Sequence, residues 1–137
     1  MNSYLSVAAD LARGHFYDKN LDYHLCAVVV RGGKILSIGF NKFGSSGLVE
    51  HYKIKEREWK HNVHAETEAI LRARRKTDLR GSKIYVARLH KNGVTLAMAK
   101  PCPMCQAVLY AYGIKKAYFT TDSPEEEMGV MRVERPT

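Results

Sequence analysis

The sequence predicts an α/β fold, a sheet covered by helices, and three observations point there. An amphipathic segment opens the chain. Two β-rich apolar runs then meet at a glycine pair. After residue 64, helix-like and strand-like segments alternate, and strands separated by helices imply parallel pairing. No linker, repeat or composition shift divides the 137 residues, so residues 1–137 are expected to form one domain.

The elements follow in order. "MNSYLSVAADLARGHF" lacks the basic start and long apolar stretch of a secretory signal. It reads instead as a helix with Leu5, Ala8, Ala9 and Ala12 near one face. His24 to Val30, the Gly32-Gly33 pair and Lys34 to Phe40 read as a β-hairpin. Asn41 to Val63 opens rich in Gly and Ser and then becomes highly charged, a long loop with room for a short helix. "HAETEAILRARRK" carries Ala65, Ala69, Ile70 and Ala73 at helical spacing, with cations in its later turns. "LRGSKIYVARL" is a turn and third strand, and Asn92-Gly93 continues it into a hairpin returning through Val94 to Met98. "CPMCQAVLYAYG" is a helix with Pro103 at its first turn and Gly113 as its stop, and "IKKAYFTT" is a fourth strand. The tail from Asp122 carries no placeable pattern.

Composition narrows the setting. No apolar run approaches the roughly 20 residues that span a bilayer. Three cysteines without a secretory signal suit a reducing, cytoplasmic compartment without disulfides. The net charge of +8 suits a polyanionic partner, a nucleotide phosphate or nucleic acid, and equally a solvated basic surface.

Chemistry concentrates at two helix starts: His64 and Glu66 in "HAE", Cys102 and Cys105 in "PCPMC". A lone Cys-x-x-Cys is a weak signal, compatible with a structural zinc clip or a redox pair. At a helix N-terminus both thiolates can face one ion, and the helix dipole favours the deprotonated form. His64 adds a third ligand. Three protein ligands on tetrahedral zinc leave one position for water, the mark of a catalytic site. A carboxylate beside that water, Glu66, can take its proton and pass it to a leaving group. His61 offers a rival: with His64 it makes H-x-x-H and could close a structural Cys2His2 site in a non-catalytic module, leaving Glu66 without a task. Cys26, inside an apolar strand, reads as a small core residue. His24, His51 and His90 have no partner spacing.

"HAE" followed by "PCPMC" resembles the zinc-dependent nucleoside, nucleotide and nucleic-acid deaminases, whose signature is H-x-E then P-C-x-x-C. The resemblance runs through "CAVVV", "GFN", "HAE", "KIYVAR", "PCPMC" and "IKKAYFTT", in that order. It implies a three-layer α/β/α cytidine-deaminase-like fold, a five-stranded mixed sheet with helices on both faces. It also implies one zinc ion per subunit, held by His64, Cys102 and Cys105, with Glu66 as the catalytic proton shuttle. The Ala65 N–H would contact the base and Asn41 the sugar. Lys42, beside Asn41, is the first candidate for a substrate phosphate, ahead of Lys19, Lys53 and Lys55.

Within that group the layout is closest to the deoxycytidylate type, which tends to carry a long segment before "HAE". The tRNA-adenosine type typically has an acidic residue before the PC pair, where this chain has Lys100. Departures are "GFNKFGSSG" in place of the usual glycine–proline pattern, Glu68 where asparagine is common, and the inserted Leu89–Met98 hairpin. The expected activity is hydrolytic deamination of cytosine to uracil on a free (deoxy)cytidine nucleotide such as dCMP, by a homo-oligomer. The alternative is a cytosine deaminase on single-stranded DNA or RNA, with Trp59 as a stacking residue, or a tRNA adenosine deaminase.

Overall fold

A computed structural model describes residues 2–14, 23–43, 62–90, 92–123 and 128–135. Helix α1 (Ser3–Arg13) starts at Asn2, whose Oδ1 accepts from the Tyr4 N–H at 2.8 Å. Strands β1 (His24–Arg31) and β2 (Lys34–Phe40) form the expected antiparallel hairpin. Gly32 and Gly33 make its turn at φ 58° and 76°, the left-handed region a two-residue hairpin turn requires.

The segment expected as a loop begins and ends in a short ladder, β3 (Lys42–Phe43) against β4 (Asn62–Val63). The expected short helix in that segment, with His61, Lys53, Lys55 and Trp59, lies outside the described residues, as does Lys19.

Helix α2 (Ala65–Ala73) is shorter than its sequence pattern. Arg74, Arg75 and Lys76 fall in the turn that follows, where the Lys76 and Thr77 N–H groups both return to the Ala73 carbonyl. The apolar stripe ends at Ala73, and the next buried apolar residue, Leu79, already belongs to the approach to β5. Strand β5 (Lys83–Leu89) leads to the hairpin strand β6 (Leu96–Ala97). Asn92 Oδ1 holds that turn by accepting from the Val94 and Thr95 N–H groups. The hairpin pairs only Arg88 with Ala97 and Leu89 with Leu96. The same edge of β5 is taken, from Lys83 to Val86, by β7.

Helix α3 (Pro103–Ala111) and strand β7 (Lys116–Phe119) complete the expected elements. The tail supplies a strand that its sequence does not announce, β8 (Gly129–Arg132), antiparallel to β7. The mixed sheet has the order β2-β1-β5-β7-β8, with β6 off β5. β5 and β7 are parallel, as a helical crossover demands.

Period-two alternation sorts the core into two layers. Ala27, Val29, Ile84, Val86, Ala117 and Phe119 face α2 and α3. Cys26, Val28, Val30, Tyr85, Ala87 and Leu89 face Leu5, Ala8, Ala9 and Ala12 of α1. Helices therefore cover both faces. Leu5, Ile70, Ile84, Leu89, Met104 and Leu109 are fully buried, each worth about 1.5–3 kcal/mol in removed apolar surface. Burial pushes the Cys26 thiol up to about 12, consistent with a core residue. Among the described residues, no helix is long and apolar enough to cross a membrane.

One approach fixes where α2 lies. A Cβ on Gly39 would fall 2.3 Å from Ala69 N and 2.4 Å from Ala65 O, so helix backbone rests directly on β2. Ser37 Oγ donates to the Ala69 carbonyl at 2.8 Å, two residues along the same strand. Gly39→Ala is expected to cost about 1–3 kcal/mol by overpacking, read as a lower urea midpoint. An unchanged midpoint would show that α2 is not held there.

Candidate active site

Helices α2 and α3 begin alike. Their N-cap residues, His64 and Cys102, have extended backbones (φ −75°, ψ 150° and φ −71°, ψ 166°), and neither side chain caps its own helix. A capping side chain would add about 1 kcal/mol at each position. His64 and Cys102 turn instead toward a common point with Cys105, one turn into α3.

His64 Nδ1 lies 3.2 Å from Cys105 Sγ and 3.6 Å from Cys102 Sγ. The three ligand atoms all fall within 4.8 Å of one another. Zinc–nitrogen and zinc–sulfur lengths in a tetrahedral site put N and S about 3.6 Å apart. One imidazole and two thiols at these separations fit zinc. They form the only such His/Cys/Asp/Glu group among the described residues.

The two cysteines are secured from behind. Gln106 Nε2 donates to the Pro101 carbonyl at 2.7 Å, bracing the chain as it enters Cys102. Thr120 ties the approach to the sheet: its Oγ1 donates to Ala97 O at 2.8 Å, and its carbonyl accepts from the Ala99 N–H at 3.0 Å. Thr67, fully buried, places Oγ1 3.8 Å from Cys105 Sγ. These three residues escape a motif search. Helical spacing could find two of them: Thr67 is three residues from His64, and Gln106 four from Cys102.

Glu66 stands at the second position of α2, 4% exposed. Its Oε1 has no hydrogen-bond partner among the described residues. Burial pushes its carboxyl above the usual range, and the adjacent His64 draws it partly back. The α2 dipole also favours the anion at this end. The first intrahelical bond runs from the Glu68 N–H to His64 O at 3.0 Å, so the Ala65, Glu66 and Thr67 amides lie ahead of the helical ladder.

The cysteines are unequal. A hydrogen bond from Cys105, aided by His64, holds the Cys102 thiol down to about 5. The same bond and complete burial push Cys105 well up. Deprotonation is thus favoured at Cys102 over Cys105, and an arriving cation would favour the thiolate of both.

Asn41 sits at the end of β2, buried. Its Oδ1 accepts from the Leu25 N–H at 2.9 Å and its Nδ2 donates to Tyr23 O at 3.0 Å. The Tyr23 ring lies under Arg88, whose Cζ is 3.6 Å from the ring centroid. These bonds give Asn41 a structural task at the β1–β2 junction. Lys42 follows in β3, its backbone paired with Val63, the residue before His64.

The comparisons with known proteins agree with this geometry. Residues 1–121 match the family described as the cytidine and deoxycytidylate deaminase zinc-binding region. No curated protein matches the sequence significantly. Among solved structures, a dCMP deaminase from cyanophage S-TIM5 in complex with dCMP and dUMP is 25% identical, with TM-score 0.57 over 85% of this chain and 77% of that one. The diaminohydroxyphosphoribosylaminopyrimidine deaminase/reductase of Thermotoga maritima is 28% identical, with TM-score 0.57, covering 89% of this chain and 29% of that chain. A cytidine deaminase from Burkholderia pseudomallei is 19% identical, with TM-score 0.63 over 97% of this chain and 94% of that one, a likeness of fold.

Exposure and charge rank the three thiols. With chelator present, Cys102 is expected to alkylate first at neutral pH, because it is the least buried of the three and its thiol is held well below the usual range. Buried Cys105 should lag, and Cys26 should stay unmodified until unfolding. Peptide mass spectrometry over an iodoacetamide time course reads the order, and Cys26 reacting first would contradict this packing.

Proposed function

This chain belongs to the cytidine and deoxycytidylate deaminase zinc-binding family, and from that premise we propose that it is a zinc-dependent hydrolytic deaminase of a free (deoxy)cytidine nucleotide such as dCMP. The observation that carries the reading is the buried Glu66 carboxylate, one oxygen unpartnered, beside the convergent His64, Cys102 and Cys105. A purely structural zinc clip closed by His61 would give that buried carboxylate no work.

His64, Cys102 and Cys105 would hold the zinc, which supplies Lewis-acid activation of water. Glu66 accepts a proton from the attacking water as its oxygen bonds to C4 of the base. The same carboxylate delivers that proton to N3, then moves the second proton to the exocyclic nitrogen. The C4–N bond breaks, ammonia leaves and a C4 carbonyl remains, so water plus cytosine gives uracil plus ammonia. Burial suits this shuttle: a raised carboxyl pKa brings its proton affinity nearer to neutral pH. The Ala65 N–H, ahead of the helical ladder, is suited to donating a hydrogen bond to the base oxygen.

Two observations support a nucleotide over a bare nucleoside. The two structural relatives at 25% and 28% identity are named for dCMP and for a phosphoribosyl aminopyrimidine. Both are amino-substituted pyrimidines on a phosphorylated sugar. Lys42 follows Asn41 directly and pairs with the residue before His64, which supports a phosphate contact at the rim.

Glu66→Gln is expected to lower kcat by about 10²–10⁴-fold while zinc, measured by elemental analysis, stays near one per chain. Activity within tenfold of wild type would remove Glu66 from the mechanism. The substrate is read from ammonia release over dCMP, CMP, cytidine, dCTP, adenosine and single-stranded oligonucleotides, with dCMP expected fastest. Turnover of oligonucleotides alone would overturn the nucleotide assignment.

A further inference from the structure

Three cations stand side by side across the sheet at the end of α3 remote from Cys102. In the parallel pair, Lys83 of β5 is in register with Lys116 of β7. In the antiparallel pair, Lys116 is in register with Arg132 of β8. Residues in register share a face, and all three side chains are exposed. At ordinary strand spacing the row spans about 10 Å. Lys115 adds a fourth cation beside it. Lys115, Lys116, Arg132, Tyr110, Ile114 and Val133 line a cavity of about 410 Å³ at this end of the sheet.

Among the described residues, no carboxylate pairs with the row. Among the described residues, the ion pairs of this protein join Arg13 to Asp10, Arg72 to Glu68 and Arg80 to Asp78. Glu134, exposed two residues beyond Arg132, pairs with none of the three. Like charges directly opposite on neighbouring strands destabilise a sheet. Here the arrangement occurs twice in succession, in a protein carrying +8 overall. Two residues along the same face, Tyr118 is half-buried and stacked on Tyr85, with centroids 4.8 Å apart and planes 9° apart. Tyr118 pairs with Val130, which is 51% exposed.

We propose that the Lys83–Lys116–Arg132 row is a docking surface for the phosphates of single-stranded nucleic acid, separate from the His64 site. A line of cations on adjacent strands matches a chain of phosphates better than a single anion. Tyr85 is buried beneath Tyr4 of α1, so the surface left for bases beside the row is the open edge of half-buried Tyr118 and the exposed Val130, which suits bases of any sequence. An anionic membrane would also feel the charge. It favours a basic amphipathic helix with a broad apolar face, whereas this row lies on a twisted sheet with one exposed valine beside it. Docking here would hold the enzyme near polynucleotide while leaving the small-molecule site open.

The test uses fluorescein-labelled oligothymidylate, which offers no exocyclic amine to the His64 site, with anisotropy read over a salt series. Wild type should bind. Combining Lys83→Gln, Lys116→Gln and Arg132→Gln should weaken binding about tenfold or more at low salt. It should also flatten the log–log salt slope by about 2, from about 0.7 per lost phosphate contact. Ammonia release from the preferred nucleotide should be unchanged, since these residues lie away from Glu66. Tm should hold or rise, because repulsion is relieved. Equal oligonucleotide affinity in the triple variant would overturn the proposal. So would wild-type binding to phosphatidylserine vesicles without binding to oligothymidylate.

Discussion

Two helix N-termini aimed at one point are the constraint on which the rest of this structure depends. His64 and Cys102 each occupy an N-cap and forgo capping, which costs helix stability locally. That cost is tolerable only if something else fixes both helix starts. The sheet does so. α2 is seated on β2 through the bare backbone of Gly39 and the Ser37 bond. The entry to α3 is stapled to the sheet by Thr120 and Gln106. Convergence of a nitrogen and two sulfurs within 4.8 Å is the result.

The same geometry explains the charge distribution inside the site. Helix N-termini favour anions, and three potential anions gather there: Glu66, Cys102 and Cys105. Burial and mutual repulsion oppose their full ionisation, so Glu66 and Cys105 are pushed toward their protonated forms while deprotonation is favoured at Cys102. A divalent cation resolves this conflict, which gives the donor set its fit to zinc. Thr67, beside Cys105, belongs to the same economy. At the far end of α3 the conflict has the opposite sign, cations facing cations across β5, β7 and β8. The candidate metal site and the row of cations thus occupy opposite ends of one helix.

Much of this was legible in residue types and short spacings. The α1 stripe, the Gly32-Gly33 turn, the Asn92-Gly93 hairpin and the Pro103 helix start are local signals, and local physics honours them. Three features were not legible. β8 has no alternation strong enough to announce a strand, and it exists because β7 offers an edge. α2 stops at Ala73 although its cationic tail would continue a helix, because Leu79 must be buried on the way to β5. Asn41 was expected at the sugar, and the structure also gives its amide to the Tyr23 and Leu25 backbone.

The sequence alone determined which atoms can bind metal and move protons, because imidazole, thiol and carboxylate are properties of residue type. It also determined that they stand at helix starts, because Cys102 and Cys105, and His64 and Glu66, lie within one helical turn of each other. Only the tertiary structure decided that His64 meets cysteines 38 and 41 residues away. It alone also set Lys83, Lys116 and Arg132 abreast. Both outcomes depend on strand register and helix seating, and these are fixed by burial of the whole sheet, which no short stretch of chain encodes.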